Sequence, residues 1–321
     1  MIIYILFIIG FFILIKGADL LVEGSASVAK KLKISNIVIG LTIVAFGTSA
    51  PEFIVNIFAS IQGNTEIAIG NILGSNIANI FLILGISAII CPLVAKKNTV
   101  WKEIPLSLLA ALILGILAND ILIDGDISSG LTRTDGLVLL SFFIIFLYYT
   151  FAIARITDEN PISKDGEIKN LSYLKSTVFI ILGLIGLVVG GKWIVDGAVK
   201  IAENFNVSQS LIGLTVVAIG TSLPELATSA VAAYKKQTDI AIGNIVGSNI
   251  FNIFWILGFS ALIRPLPFSP NSMIDIFMTI FASVVLFAIM FIGKKHTIAK
   301  WEGISMISIY VGYVVFLVFT K

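Results

Sequence analysis

Charged residues are scarce in this chain. Asp, Glu, Lys and Arg make up 12% of its 321 residues, whereas they make up about 25% of an average soluble domain. Hydrophobic residues account for 58%, and the mean hydropathy is +1.05. These values exclude an ordinary soluble domain and indicate an integral membrane protein. The net charge of +2, with basic residues dispersed over many loops, also argues against a nucleic-acid partner.

Cysteine and histidine are almost absent. The chain has one cysteine, Cys91, and one histidine, His296. A lone cysteine cannot form a disulfide framework, and so few sulfur and nitrogen ligands disfavour a zinc or copper centre. Because His296 falls in a lysine-rich loop, no nucleophile activated by histidine is expected. We therefore predict neither an enzyme nor a bound cofactor.

Long apolar runs occupy most of the sequence. A hydrocarbon core ~30 Å thick needs roughly 20 apolar residues per helix, and ten runs fit this length. They span about residues 2–22, 36–60, 66–91, 103–119, 136–154, 176–198, 208–234, 239–263, 272–292 and 301–319. The N-terminus lacks the basic segment and cleavage site of a signal peptide, so the first run is expected to remain in the membrane. The predicted fold is all-α, with ten transmembrane helices.

The basic residues are distributed unevenly among the loops. Of the 21 Lys and Arg residues, 15 belong to loops that follow odd-numbered predicted helices. Cytoplasmic loops are enriched in Lys and Arg. We therefore predict a multi-pass protein of the cell membrane with both termini extracellular.

The sequence contains an internal duplication. Residues 65–93 align without a gap with residues 238–266, at an offset of 173, and 22 of these 29 positions are identical. Upstream, IGLTIVAFGTSAPE (39–52) aligns with IGLTVVAIGTSLPE (212–225) at the same offset. Five predicted crossings separate the copies, so the second copy enters the membrane from the opposite side. Inverted repeats of this kind are typical of secondary transporters.

The repeats define the expected domain organisation. Residues 1–154 form the first five-helix repeat, and residues 176–321 form the second, inverted repeat. Residues 155–175 are rich in Asp, Glu, Lys and Asn and are predicted to be a cytoplasmic linker, too short for a folded domain.

Each repeat interrupts its second helix with polar residues. GTSAPE (47–52) and GTSLPE (220–225) place Gly, Pro and a glutamate within an apolar run, so both helices are expected to break. A carboxylate at the membrane centre costs at least ~2.5 kcal/mol, and this sequence places one there twice. The expected donors are carbonyls near Ala45, Thr48, Ala218 and Thr221, hydroxyls of Thr48, Ser49, Thr221 and Ser222, and carboxylates of Glu52 and Glu225. Hard cations such as Ca²⁺ prefer such oxygen ligands.

The third and eighth predicted helices each carry a polar stripe. Polar residues recur at four-residue spacing and therefore share one helix face; they are Asn71, Ser75 and Asn79, and Asn244, Ser248 and Asn252. We expect Ser75, Ser248, Asn79 and Asn252 to contribute to the cation site. Asn71, Asn244, Asn76 and Asn249 fit either the site or hydrogen-bonded contacts between helices.

The paired GTSxPE segments, each followed by GNxxGSN, resemble the two alpha-repeats of the calcium/cation antiporter superfamily, most closely its prokaryotic sodium/calcium exchanger branch. The likeness covers about residues 17–93 and 190–266. It implies a secondary active antiporter that exchanges Ca²⁺ for Na⁺ by alternating access. Predicted helices 2, 3, 7 and 8 would form the central site, and helices 1 and 6 would slide past the rest. The implied partners are the two ions and the lipid bilayer, with no obligatory protein partner.

The resemblance also implies roles for individual residues. Glu52 and Glu225 would be acidic ligands shared by both ions, and the carbonyls of Thr48 and Thr221 would complete the calcium site. The implied sodium positions use Ala45, Ser49 and Ser75 on one side and Ala218, Ser222 and Ser248 on the other. Asn79 agrees with the family, but many members have Asp where this chain has Asn252. Only two central carboxylates remain, which leaves the counter-ion and the stoichiometry open.

Other functions remain compatible with the same oxygen ligands. A Ca²⁺/H⁺ antiporter would bind protons instead of Na⁺ at the two glutamates. A cation channel or an ion-sensing membrane protein would use these ligands without coupled transport.

Overall fold

The computed structural model describes residues 2–123, 125, 129–155, 169–204, 218–268 and 270–320, and these residues are mostly helical. The helices are α1 (Ile2–Leu32), α2 (Asn36–Thr48), α3 (Ala50–Gln62), α4 (Thr65–Ile90), α5 (Thr99–Leu117), α6 (Asp120–Ile123), α7 (Arg133–Arg155), α8 (Tyr173–Asn204), α9 (Ala218–Thr221), α10 (Leu223–Tyr234), α11 (Thr238–Ile263), α12 (Pro270–Ile289) and α13 (Lys300–Thr320). Four two-residue strands form two antiparallel pairs, β1 (Leu93–Val94) with β4 (Thr297–Ile298) and β2 (Gly130–Leu131) with β3 (Leu266–Pro267).

Helices α4 and α11 lie at the centre of the molecule. In their apolar segments 78% and 83% of the residues are buried, compared with 17–44% in the other six long apolar helices of the described chain. The high buried fraction shows that these two mostly apolar helices are surrounded by protein and not by lipid. Both helices contain a π-helical segment, Asn79–Leu84 in α4 and Phe251–Leu257 in α11. The polar residues that they carry are therefore placed at the protein centre.

Helices α1 and α8 form the most extensive helix pair in the described chain. Glycines allow their backbones to meet: a Cβ added to Gly17 would lie 2.8 Å from the carbonyl oxygen of Gly183, and one added to Gly190 would lie 2.6 Å from the amide nitrogen of Leu14. Small residues permit this kind of close packing between membrane helices. The two helices thus form one tightly packed unit beside the central helices.

The loops fall into two groups according to their contacts. In one group, β1 pairs with β4, and Lys96 Nζ lies 2.8 Å from Asp239 Oδ2. In the other group, β2 pairs with β3. In a separate contact, Asn204 Nδ2 donates to Tyr4 Oη at 2.5 Å. The first group contains loops that follow odd-numbered predicted helices, and the second contains loops that follow even-numbered ones. The separate contact joins the N-terminal residues to a residue that follows the sixth predicted helix.

Most predicted helix positions agree with the structure to within a few residues, and the predicted membrane class is confirmed. Eight helices are long and apolar enough to span a membrane among the described residues, or nine if the bent pair α2–α3 is one span. The seventh predicted helix (208–234) lies partly outside the described residues, which cover its part from 218 onward. Ten helices are therefore not established by the structure.

The first helix is longer than predicted, ending at Leu32 instead of residue 22. Its 31 residues measure about 46 Å at a rise of 1.5 Å per residue, which exceeds the hydrocarbon core. Two acidic residues in this helix form ion pairs: Asp19 Oδ1 lies 2.5 Å from Lys235 Nζ, and Glu23 Oε2 lies 3.1 Å from Lys169 Nζ. The charges that end the apolar run are thus neutralised by partners distant in the sequence.

Candidate functional site

Two helices break at equivalent positions. Ser49 (φ −82°, ψ 5°) and Ser222 (φ −88°, ψ 5°) leave the helical conformation, and α2 and α3 differ in direction by 46° at this point. Pro51 and Pro224 follow in the first turn of the next helix, where the missing N–H costs nothing. The breaks predicted from the GTSxPE segments are therefore confirmed.

The glycines of the two breaks allow α8 to approach closely. Gly47 packs against the side chain of Leu184, and Gly220 packs against that of Val195, so that a Cβ at either glycine would overlap its neighbour. Both neighbours belong to α8, which therefore contacts both broken helices. This close approach explains why glycine precedes each pair of hydroxyl residues.

The two glutamates are buried and lie in the first turns of α3 and α10. Glu52 and Glu225 are each 1% exposed, and the positive end of a helix dipole favours an anion at this position. Ser49 Oγ donates to Glu225 Oε1 at 2.9 Å, and Ser222 Oγ lies 3.3 Å from Glu52 Oε1. Ser75 Oγ, from α4, lies 3.4 Å from the same Glu52 oxygen. Each carboxylate is thus held by a hydroxyl from the other half of the chain.

The threonines next to the breaks contact asparagines of the central helices. Thr48 Oγ1 donates to Asn244 Oδ1 at 2.9 Å, and Thr221 Oγ1 donates to Asn71 Oδ1 at 3.2 Å. Asn244 Nδ2 in turn donates to Ser229 Oγ at 3.0 Å. Ser229 belongs to this polar cluster, and we did not predict it from the sequence. Its position four residues after Glu225 places it on the same face of α10.

Several buried oxygens of this region have no hydrogen-bond partner among the described residues. They are Glu52 Oε2, Glu225 Oε2, Asn79 Oδ1, Asn252 Oδ1 and Ser248 Oγ. A buried polar group without a partner costs ~1–3 kcal/mol, so these oxygens are suited to a cation or to water. The described residues contain no group of three or more His, Cys, Asp or Glu side chains that could hold a metal. Most of the candidate metal ligands are therefore uncharged oxygens, and Ca²⁺ and other hard cations bind such ligands.

Most of the predicted site residues are brought together. Contacts join Glu52 to Ser222 and Ser75, and Glu225 to Ser49. Thr48 and Thr221 contact Asn244 and Asn71 of the central helices, and Ser248 is fully buried on α11. The Ala45 carbonyl oxygen accepts a hydrogen bond from the Ser49 amide at 3.0 Å and lies 3.3 Å from Thr48 Oγ1. Ala218 begins α9, one turn before Thr221; its side chain lies outside the described part.

The fold and this oxygen-rich cluster together define a multi-pass helical membrane protein with two broken helices at its centre. The chain matches the family described as sodium/calcium exchanger protein over residues 2–152 and 175–319. It therefore belongs to the sodium/calcium exchanger family, which is a family of transporters. The resemblance stated from the sequence is confirmed.

Individual relatives agree with this assignment. The chain is 32% identical to sodium/calcium exchanger MaX1 of Methanosarcina acetivorans, over 98% of each chain. It is 38% identical to the uncharacterized membrane protein MJ0091 of Methanocaldococcus jannaschii, over 95% of this chain and 94% of the relative. A solved structure of the sodium-calcium exchanger NCX_Mj, soaked with 2.5 mM Na⁺ and 0.1 mM Ca²⁺, matches with a TM-score of 0.84 at 36% identity, covering 98% of each chain.

Proposed function

We propose that this protein is a secondary active antiporter that exchanges Ca²⁺ for Na⁺ across the cell membrane by alternating access. The observation that carries the proposal is the pair of buried carboxylates, Glu52 and Glu225, each with one oxygen free of hydrogen bonds. They lie on two broken helices of a chain that belongs to the sodium/calcium exchanger family. Relatives whose names state this exchange match the chain over nearly its whole length.

The proposed cation ligands are those that the sequence and the family suggest. Both ions use the two carboxylates; Ca²⁺ adds the carbonyls of Thr48 and Thr221. The remaining proposed ligands are Ala45, Ala218, Ser49, Ser222, Ser75, Ser248, Asn79 and Asn252. The unpartnered oxygens of Asn79, Asn252 and Ser248 support their inclusion.

The charge of the site limits what it can carry. Two carboxylates neutralise one Ca²⁺ or two Na⁺, and a third Na⁺ would leave excess positive charge in a medium of low dielectric constant, which is unfavourable. Both loaded states are then nearly neutral, whereas the empty site carries two negative charges. We infer that the loaded site moves readily between the two faces and that the empty site does not.

The proposed architecture has ten helices in two inverted five-helix repeats, residues 1–154 and 176–321, joined by a cytoplasmic linker at 155–175. Contacts that recur at an offset of 173 residues support it: Thr48 with Asn244 and Thr221 with Asn71, Ser49 with Glu225 and Ser222 with Glu52. In a chain of ten membrane-spanning helices, successive loops lie on alternate sides of the membrane, and the two loop groups agree with this alternation. Both termini are then extracellular, because the other end carries most of the basic loops.

The moving element that we propose is the packed pair α1–α8. This pair contacts both breaks through α8 and is joined to the C-terminal end of α10 by the ion pair between Asp19 and Lys235. Sliding of the pair across the two breaks would expose the glutamates to one side at a time.

Calcium uptake into proteoliposomes tests the proposed exchange. Vesicles loaded with Na⁺ are compared with vesicles loaded with choline and with vesicles that carry only a pH gradient. We expect radiolabelled Ca²⁺ to accumulate only when internal Na⁺ is present. Uptake driven by the pH gradient alone would identify a Ca²⁺/H⁺ antiporter, and flux far above carrier rates would identify a channel.

A further inference from the structure

Four asparagines connect the central helices α4 and α11. Asn79 Nδ2 donates to Asn249 Oδ1 at 2.9 Å, and Asn252 Nδ2 donates to Asn76 Oδ1 at 2.8 Å. The Asn76 and Asn249 amides also donate to each other's backbone: Asn76 Nδ2 to the Asn249 carbonyl at 3.3 Å, and Asn249 Nδ2 to the Asn76 carbonyl at 3.4 Å. All four side chains are at most 2% exposed.

The backbone carbonyls fix the direction of this network. An asparagine side chain has an NH₂ end that donates and an oxygen end that accepts, and the two ends have nearly the same shape. A carbonyl only accepts, so the NH₂ ends of Asn76 and Asn249 must face the opposite helix backbone. Their oxygens are then turned toward Asn252 and Asn79, which must present NH₂ groups in return.

The same arrangement of hydrogen bonds leaves the side-chain oxygen free on Asn79 and on Asn252. Because the NH₂ groups of Asn79 and Asn252 are used, their Oδ1 atoms face away from the network, and both oxygens are buried without a partner among the described residues. An asparagine turned the other way would present N–H groups, which repel a cation. The orientation thus decides whether Asn79 and Asn252 can be cation ligands.

A backbone carbonyl oxygen has two lone pairs and can accept a side-chain hydrogen bond besides its helical one, and π-helical segments lie next to the two carbonyls that do so here. The π segments begin at Asn79 in α4 and at Phe251 in α11, a few residues after the two accepting carbonyls. Where an α-helix changes to a π-helix, the backbone bonding pattern shifts by one residue, and such changes are frequent at functional sites. Local backbone geometry and the asparagine network therefore occur at the same level of both helices.

We propose that Asn76 and Asn249 are positioning residues that force the side-chain oxygens of Asn79 and Asn252 toward the cation. Neither Asn76 nor Asn249 touches the ion. Each acts across the interface, Asn249 on Asn79 and Asn76 on Asn252. The inference rests on the proposed function, since it requires that a cation binds at this site.

The test measures Ca²⁺ affinity of the purified full-length protein by isothermal titration calorimetry, with thermal stability recorded in parallel. Removing a group that orients a metal ligand costs roughly 10- to 100-fold in affinity, and we expect this loss for Asn249→Ala and for Asn76→Ala. If these asparagines only hold α4 against α11, the variants will instead lower the melting temperature and leave the affinity of the folded protein unchanged.

Double variants separate orientation from packing, because interacting residues show non-additive effects. Once Asn79→Ala has removed the ligand, Asn249→Ala is expected to weaken affinity by less than about twofold more, and the same holds for Asn76→Ala added to Asn252→Ala. The matched controls are the same-helix pairs, Asn249 with Asn252 and Asn76 with Asn79, whose effects are expected to multiply. Full additivity in the cross-helix pairs would overturn the proposal.

The wild-type result distinguishes this proposal from the proposed exchange. Protein that binds Ca²⁺ in calorimetry but does not exchange it for Na⁺ in vesicles would refute the exchange and leave the positioning role standing. Protein that exchanges Ca²⁺ normally while Asn249→Ala and Asn76→Ala bind it normally would refute only the positioning role. Wild-type protein that binds no Ca²⁺ would refute both.

Discussion

At the residue scale, the two glutamates lie at an unfavourable, buried position, for which the proposed cation binding supplies a reason. Two buried carboxylates in one region repel each other, and each leaves one oxygen without a partner among the described residues. Such an arrangement is costly for the protein, and under the proposed function the binding of a cation relieves this cost. Substitutions at these positions are therefore expected to separate ion binding from folding.

We expect Glu52→Gln and Glu225→Gln each to reduce Ca²⁺ transport by more than 100-fold. Each change removes a carboxylate that pairs with the proposed Ca²⁺, and removing one partner of a buried pair of opposite charges costs ~3–5 kcal/mol. The melting temperature without Ca²⁺ is expected to stay the same or rise, since one of two like charges is removed. Transport assays in vesicles and thermal unfolding in detergent measure the two effects. The control is Glu66→Gln, the same change at an exposed carboxylate in the first turn of α4. Normal transport by either site variant would contradict the assignment.

Under the proposed function, the residue at position 252 determines how many carboxylates the cation site contains. Asn252→Asp adds a third carboxylate, which three Na⁺ can balance, so we expect the Na⁺ to Ca²⁺ ratio to rise and uptake to become sensitive to membrane potential. Under the proposed function, two carboxylates favour exchange of two Na⁺ for one Ca²⁺, which is electroneutral, so wild-type uptake is expected to be insensitive to the potential. Uptake at potentials imposed with a potassium ionophore measures the difference, with Asn64→Asp at an exposed position as the control. An unchanged dependence would place Asn252 outside the site.

At the element scale, the sequence predicts the helices and both breaks but not their partners. Apolar length identifies α4, α5, α7 and α13 to within a few residues, and the Gly and Pro of GTSAPE predict the bend at Ser49. The contact of Ser49 with Glu225 joins residues 176 positions apart, and no local pattern determines such a pair. The extension of α1 to Leu32 was also missed, because Lys235 and Lys169 neutralise its acidic residues from distant segments.

The α1–α8 pair is sensitive to any added side-chain atom at its contact. A Cβ at Gly17 would lie 2.8 Å from the Gly183 carbonyl oxygen, and overpacking of this kind costs ~1–3 kcal/mol. We expect Gly17→Ala to lower the melting temperature and to impair exchange. Gly312→Ala in α13 is the matched control, since no atom lies within 4 Å of its added Cβ, and it is expected to be neutral or stabilising by up to ~1 kcal/mol. Equal effects of both changes would show that the close contact between α1 and α8 is not required.

At the scale of the whole molecule, the contacts between loops carry information that the apolar pattern lacks. Hydropathy gives the number of possible crossings, whereas the pairing of β1 with β4 and of β2 with β3 assigns loops to the same end of the molecule. Residues 93–98 and 293–299 then share one end, and residues 129–133 and 264–268 share the other. The distribution of Lys and Arg in the sequence predicts which end is cytoplasmic, because the first of these groups carries the larger basic charge.

Cysteine labelling tests this orientation in whole cells. Cys91 is the only cysteine of the sequence, so Cys91→Ser gives a background without thiols, to which Lys295→Cys and Thr134→Cys are added separately. Both positions are exposed, Lys295 in the loop that precedes β4 and Thr134 in the first turn of α7 beside β2. A membrane-impermeant thiol reagent is expected to label Thr134→Cys in intact cells and Lys295→Cys only after permeabilisation, because the loop at 293–299 carries Lys294 and Lys295 and is predicted to be cytoplasmic.

The opposite labelling pattern would invert the predicted orientation, but the two loop groups would still lie on opposite sides of the membrane. Labelling of both positions in intact cells would mean that the two loop groups are not separated by the membrane, which would refute the inverted-repeat architecture and remove the basis for alternating access at Glu52 and Glu225.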